Sequence, residues 1–216
     1  MQRHYSYTAE RDYYQRQWPS EPQPYIHLEP YLRCWMDPDK VFSGKKILTI
    51  GAGEAVYERL IAEKFGPERV VASDLFLERM YPASFANKVP HLSFVAGDCL
   101  RLPFCAEGFD IVFGSLVLHQ IADLNAVVTQ IRHVLKPGGL YVGIEINPWH
   151  PLHVWRHFFA RHSANQFQLS PKHLSVFSNL GFQVDIKYFW GRYPKLRNRL
   201  LMTTMGIVAE KENLCA

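Results

Sequence analysis

The feature that most constrains this chain is an alternation: from Lys46 to Ile146, short β-branched runs take turns with stretches of helical period. Ile47-Leu48-Thr49-Ile50 is an apolar run that stops at Gly51, as a strand buried on both faces does. Val56 and Leu60, with Tyr57, Ile61 and Phe65, then recur at four-residue spacing on one helical face, and Gly66-Pro67 ends it. Val70-Val71-Ala72 closes on Ser73-Asp74, Leu92 to Ala96 closes on Gly97-Asp98, and Phe109 to Phe113 makes a fourth strand. Asp123 caps the clearest helix, whose stripe is Leu124, Val127, Val128, Ile131 and Leu135. Lys136-Pro137-Gly138-Gly139 has the composition of a turn, and Leu140 to Ile146 follows as a fifth strand. Such a sequence predicts an α/β fold, a Rossmann-like doubly wound sheet with helices on both faces. Ligands then bind at the carboxyl ends of the strands.

Outside the alternation, Pro151 to Ala160 and Pro171 to Leu180 read as helices, the second capped by Ser170 and stopped by Gly181. Phe182 to Trp190 and Leu201 to Ala209 are strand-like. Residues 1–43 are rich in Tyr, Trp and Pro and predict a helix around Arg11 to Trp18 followed by a loop. At 216 residues the chain suits one well-packed domain, here 44–216, preceded by the 1–43 segment. No apolar stretch is long enough to cross a bilayer, and Met1 to Glu10 lacks the apolar region of a secretory signal. Cys34, Cys99, Cys105 and Cys215 show no CxxC spacing and read as free thiols, so we expect a cytoplasmic protein. Residues 1–150 carry 15 Lys/Arg against 17 Asp/Glu, while 151–216 carry nine against three. A basic final third suits an anionic acceptor, or is simply a solvated surface.

The residues that carry chemistry cluster at strand ends. Gly51 and Gly53 let the backbone approach a ligand closely, and the helix behind them presents free N–H groups. Asp74, ending the second strand, can accept both hydroxyls of a ribose, and Asp98, ending the third, adds a second acid on the same edge. A GxG turn alone fits several nucleotides. The full GxGxxG dinucleotide fingerprint is absent, because Val56 stands three residues after Gly53, which argues against an NAD-dependent oxidoreductase.

Five motifs in order resemble those of class I S-adenosylmethionine (SAM)-dependent methyltransferases, in particular the ubiquinone/menaquinone methyltransferase-like group. They are Ile50-Gly-Ala-Gly-Glu54, Asp74, Gly97-Asp98-Cys99 with Leu102-Pro103-Phe104, Phe109 to Val112 with Leu118-His119, and Val134 to Gly139. The resemblance covers about half the chain. It implies a seven-stranded sheet whose last strand is antiparallel, and SAM as cofactor. It also implies a SAM site made of Gly51, Ala52, Gly53, Asp74, Leu75, Asp98, Cys99 and Ser115, the last beside the methionine part. Two positions depart from the family pattern. Thr49 replaces an acid that usually supports the SAM amino group, and Ala55 replaces a third glycine.

Methyl transfer from a sulfonium needs alignment and dryness, and a base only where the acceptor must lose a proton. His119, just after the fourth strand, is the candidate base; Glu145 and His150 are further candidates. His150, His153 and His157 share one helical face near Trp149 and Arg156, which suggests a substrate-facing insert around 148–170 rather than a metal site. Catechol-type magnesium enzymes of this fold place acids at the fourth and fifth strand ends; here those ends read Gly114-Ser115 and Ile146-Asn147-Pro148, so no metal is expected. Tyr7, Tyr13, Tyr14 and Trp18 resemble the family's lid over SAM and acceptor. A basic aromatic patch, Trp190, Arg192, Tyr193, Lys195, Arg197 and Arg199, suits a solvated hairpin tip better than RNA. The expected partner is therefore a small-molecule substrate, with no membrane and no nucleic acid. A SAM-binding protein without turnover, and an RNA methyltransferase, remain as alternatives.

Overall fold

The computed structural model describes residues 28–80, 89–151, 171–189 and 202–213. Seven strands form one sheet: β1 (Lys46–Ile50), β2 (Arg69–Asp74), β3 (Leu92–Ala96), β4 (Phe109–Ser115), β5 (Leu135–Ile146), β6 (Phe182–Phe189) and β7 (Thr204–Lys211). Their spatial order is β3-β2-β1-β4-β5-β7-β6, with β7 antiparallel to both its neighbours and the first five strands parallel. The order reverses between β1 and β4, so a crevice opens where their carboxyl ends part company. The predicted sheet and its antiparallel last strand are as observed.

Six described α-helices surround the sheet: α1 (Leu28–Arg33), α2 (Pro38–Phe42), α3 (Val56–Lys64), α4 (Leu77–Met80), α5 (Leu124–Val134) and α6 (Pro171–Asn179). Alternating residues of β1 enter opposite cores. Ile47 packs with Leu60, Ile61 and Phe113 on the α3 side, and Leu48 and Ile50 pack with Val127, Val128 and Ile131 of α5 on the other. Burial on both faces explains why the strand sequences are continuously apolar. The α5 cap is as predicted, since Ala126 N donates to Asp123 Oδ1 at 3.0 Å. Asp123→Ala is expected to lower stability by about 1 kcal/mol, measurable by urea denaturation.

Three predicted boundaries move. The chain enters β5 at Leu135, five residues early, and the expected turn 136–139 becomes a bulge within the strand. Phe109 pairs with Leu135 and Ile111 with Leu140, so the intervening residues loop out, with Gly138 at φ +69°. β7 starts at Thr204 rather than 201. The expected loop before the sheet contains α1 and α2, and this segment is core: Leu32 and Phe42 are fully buried, and Trp35 stacks on Phe189 at 5.7 Å. Trp35 lies flat over Gly206 of β7, where a Cβ would collide with the indole. The predicted helices at 11–18 and 151–160 fall, apart from Pro151, outside the described residues, as does the basic patch at 190–199. Cys34, Cys99 and Cys105 are free thiols. No helix among the described residues is long and apolar enough to cross a membrane.

Candidate functional site

The turn from β1 into α3 is built from left-handed backbone. Gly51 has φ +61° and Gly53 φ +58°, and a Cβ on Gly51 would stand 2.5 Å from Val117 Cγ2. Ala55 also sits left-handed, at φ 54° and ψ 36°, fully buried. The family's third glycine therefore has a backbone reason, and alanine here carries about 1 kcal/mol of strain. Asp74 clamps this turn to the end of β2. Its Oδ2 accepts from Gly53 N at 2.8 Å and its Oδ1 from Phe76 N at 3.0 Å. An ionised carboxylate has about four lone-pair sites, so two remain for a ligand.

Turn and strand ends border one cleft of about 630 Å³ at the β1/β4 switch point. All eight residues expected to bind the cofactor line it: Gly51, Ala52 and Gly53 from the turn, Asp74 and Leu75 after β2, Asp98 and Cys99 after β3, and Ser115 ending β4. Asp98 Oδ1 accepts from Leu100 N at 2.9 Å, which fixes the carboxyl and leaves its second oxygen for a ligand donor. Carboxylates for ribose and base, placed on successive strand ends beside a glycine turn, fit a nucleoside.

Sequence reading missed Glu58, an acid of the cleft wall that is buried like Asp74. Its side of α3 also carries Ile61 and Phe65, so an acid within an apolar stripe was the available signal. The residue is only 3% exposed, and burial pushes its carboxyl up to about 7, with Asp74 adding a smaller push. Thr49 of β1 faces α3 as well, and its hydroxyl offsets part of that rise. The pair makes no hydrogen bond of standard geometry, and Thr49 Oγ1 is buried with no hydrogen-bond partner among the described residues.

The expected acceptor residues divide differently. Glu145 is completely buried and does not line the cleft, and protein groups engage both of its carboxylate oxygens. Oε1 accepts from Val117 N at 2.9 Å and Leu118 N at 2.6 Å, and Oε2 meets His119 Nδ1 at 2.9 Å. Glu145 instead holds the segment after β4 and orients His119. His119 is absent from the cleft lining, although Val117 and Gln120 on either side belong to it. With Nδ1 engaged, Nε2 is the ring nitrogen left for other chemistry. His150 donates its backbone N–H to Asn147 O at 3.2 Å and does not line the cleft. Tyr14, Trp18, His153 and His157 lie outside the described residues.

The chain is similar to known methyltransferases over part of its length. Residues 48–143 match a family described as a methyltransferase domain. Over that stretch, a little under half of its length, the chain is similar to methyltransferase domains. It is 36% identical over 104 residues to the demethylmenaquinone methyltransferase of Mycolicibacterium paratuberculosis, an alignment covering 48% of this chain and 43% of that one. It is 26% identical over 174 residues to a probable phthiotriol/phenolphthiotriol dimycocerosates methyltransferase of Mycobacterium ulcerans, covering 81% and 63%. A SAM-dependent methyltransferase from Mesorhizobium loti has the same fold, with TM-score 0.67 at 17% identity over 86% of this chain and 98% of that one. The chain spans 43–63% of the length of these two curated relatives. The matched stretch spans the motifs from Ile50 to Gly139, and the sheet is that of the methyltransferase structures it resembles.

Proposed function

We propose that this chain transfers the methyl group of SAM, by in-line displacement, to an oxygen, nitrogen or carbon atom of a small-molecule acceptor. The observation that carries the reading is the convergence of the Gly51–Gly53 turn, Asp74 and Asp98 on one cleft. Bound there, SAM supplies an electrophilic methyl group on a sulfonium. Asp74 would accept hydrogen bonds from the ribose hydroxyls and Asp98 from the base amino group, while the turn backbone and Ser115 would hold the amino-acid part. Apolar walls, among them Phe76, Val117 and Ile121, exclude water from the line of transfer. The curated relatives are named for small molecules, demethylmenaquinone and phthiotriol/phenolphthiotriol dimycocerosates, which favours a small-molecule acceptor here over RNA.

Where the acceptor must lose a proton, His119 Nε2 accepts it. Glu145 keeps Nδ1 protonated and the ring oriented, and stabilises the imidazolium that forms. His119→Ala is expected to lower kcat by about 100-fold or more. A loss below about tenfold removes the base from the mechanism.

The direct test is incubation with methyl-labelled SAM and a metabolite extract. Label is expected in low-mass, organic-soluble products. Label in RNA alone overturns the acceptor class, and SAM binding with no label transferred to any acceptor makes the chain a SAM-binding regulator.

A further inference from the structure

Glu58 is the one buried group in the cleft wall that the reading above leaves without work. The residue is only 3% exposed yet borders the cleft, and no ion pair engages it among the described residues. The charged and titratable groups around it are accounted for. Arg59, its neighbour on α3, lies 3.9 Å from Glu63, Arg79 of α4 stands over Gly53, Asp74 ends β2, Tyr57 adjoins on α3, and Glu54, four residues earlier, borders the same cleft. From β1 the facing group is the hydroxyl of Thr49. A carboxylate buried without a cation is costly, and natural chains keep one where a ligand provides the missing charge.

The nucleoside end of the ligand is spoken for by β2 and β3, through Asp74 and Asp98. The rest of its length passes over the ends of β1 and β4, which is where α3 brings Glu58. That remainder carries an ammonium, a carboxylate and the sulfonium, and an anion buried beside the strand carrying Thr49 suits the ammonium. We propose that Glu58 anchors the ammonium of the amino-acid end of SAM, and that α3 thereby supplies the acid that position 49 of β1 lacks. The proposal rests on the SAM reading of the cleft. It has a proton signature: part of the free protein holds Glu58 neutral near pH 7, the ligand cation demands the anion, and the displaced proton passes to buffer.

Calorimetry in buffers of different ionisation enthalpy measures that proton. At pH 6.5 an α-amino group is already protonated, so the ligand itself takes up none. Binding of SAM, and of its product S-adenosylhomocysteine, which keeps the ammonium but not the sulfonium, is expected to release roughly 0.7 proton at pH 6.5. Glu58→Gln should abolish the release and weaken both ligands about 10- to 100-fold at pH 8. 5′-Methylthioadenosine, which keeps the nucleoside and lacks the amino-acid end, should bind both proteins within about twofold, and it reports that the variant is folded. Proton release with SAM but not with S-adenosylhomocysteine moves the contact to the sulfonium and overturns the assignment. Equal release from wild type and variant overturns any part for Glu58. If none of the three ligands binds wild type, the SAM reading itself fails, an outcome distinct from both.

Discussion

Asp74→Ala is expected to weaken SAM binding by about 100- to 10,000-fold, which calorimetry reads directly. Two hydrogen bonds from ribose hydroxyls to a charged acceptor contribute about 1.5–3 kcal/mol each, and every 1.4 kcal/mol is tenfold in affinity. The variant also frees Gly53 N and Phe76 N, the two donors that hold the turn against β2. These groups border a cleft that water enters, so the loss of folding stability should stay near 1 kcal/mol, well below the loss in binding. Asp74→Asn separates the two effects. Its amide oxygen can still accept from one backbone N–H, but the nitrogen opposes a second donor, so affinity should fall part of the way. Unchanged SAM binding in Asp74→Ala would remove the nucleoside from this cleft.

The predicted residues that line the cleft were legible because they follow strand ends. A glycine turn and two strand-end acids are local signals, and the switch-point rule collects them without knowledge of packing. All eight residues expected at the cofactor border the cleft for that reason. What failed needed tertiary information. Helices α1 and α2 are six and five residues long, too short to show a periodic stripe, and Trp35 is fixed by Gly206 and Phe189, far away in the chain. Glu145 looked available because it sits near the end of a strand. Only the fold shows two backbone N–H groups and a histidine taking up its carboxylate. Glu58 stood in plain view within an apolar stripe, where an acid is a local inconsistency. Such inconsistencies gather at functional sites.

That inconsistency has a thermodynamic consequence in the free protein. A carboxyl whose pKa rises from 4.5 in the unfolded chain to about 7 in the folded one makes the folded state bind more protons between those values. Its stabilising contribution is therefore complete below about pH 4.5 and is lost as pH climbs through 7. The other resolved carboxylate shifts, at Asp39 and Asp110, are downward and act below pH 4, outside this window. Without ligand, wild type is expected to lose up to about 3 kcal/mol from Glu58 between pH 4.5 and 8.5. Glu58→Gln keeps the shape and has no proton to lose. Its urea-denaturation stability should decline less over that range, leaving it about 2–3 kcal/mol ahead of wild type at pH 8.5. Parallel stability-versus-pH curves would show that Glu58 titrates as an ordinary solvated acid. Saturating SAM should narrow or reverse the gap, because it binds the ionised wild type more tightly and stabilises it by mass action. A residue that costs the empty protein stability and returns it on binding is kept for the ligand, since the fold alone would be better served by glutamine.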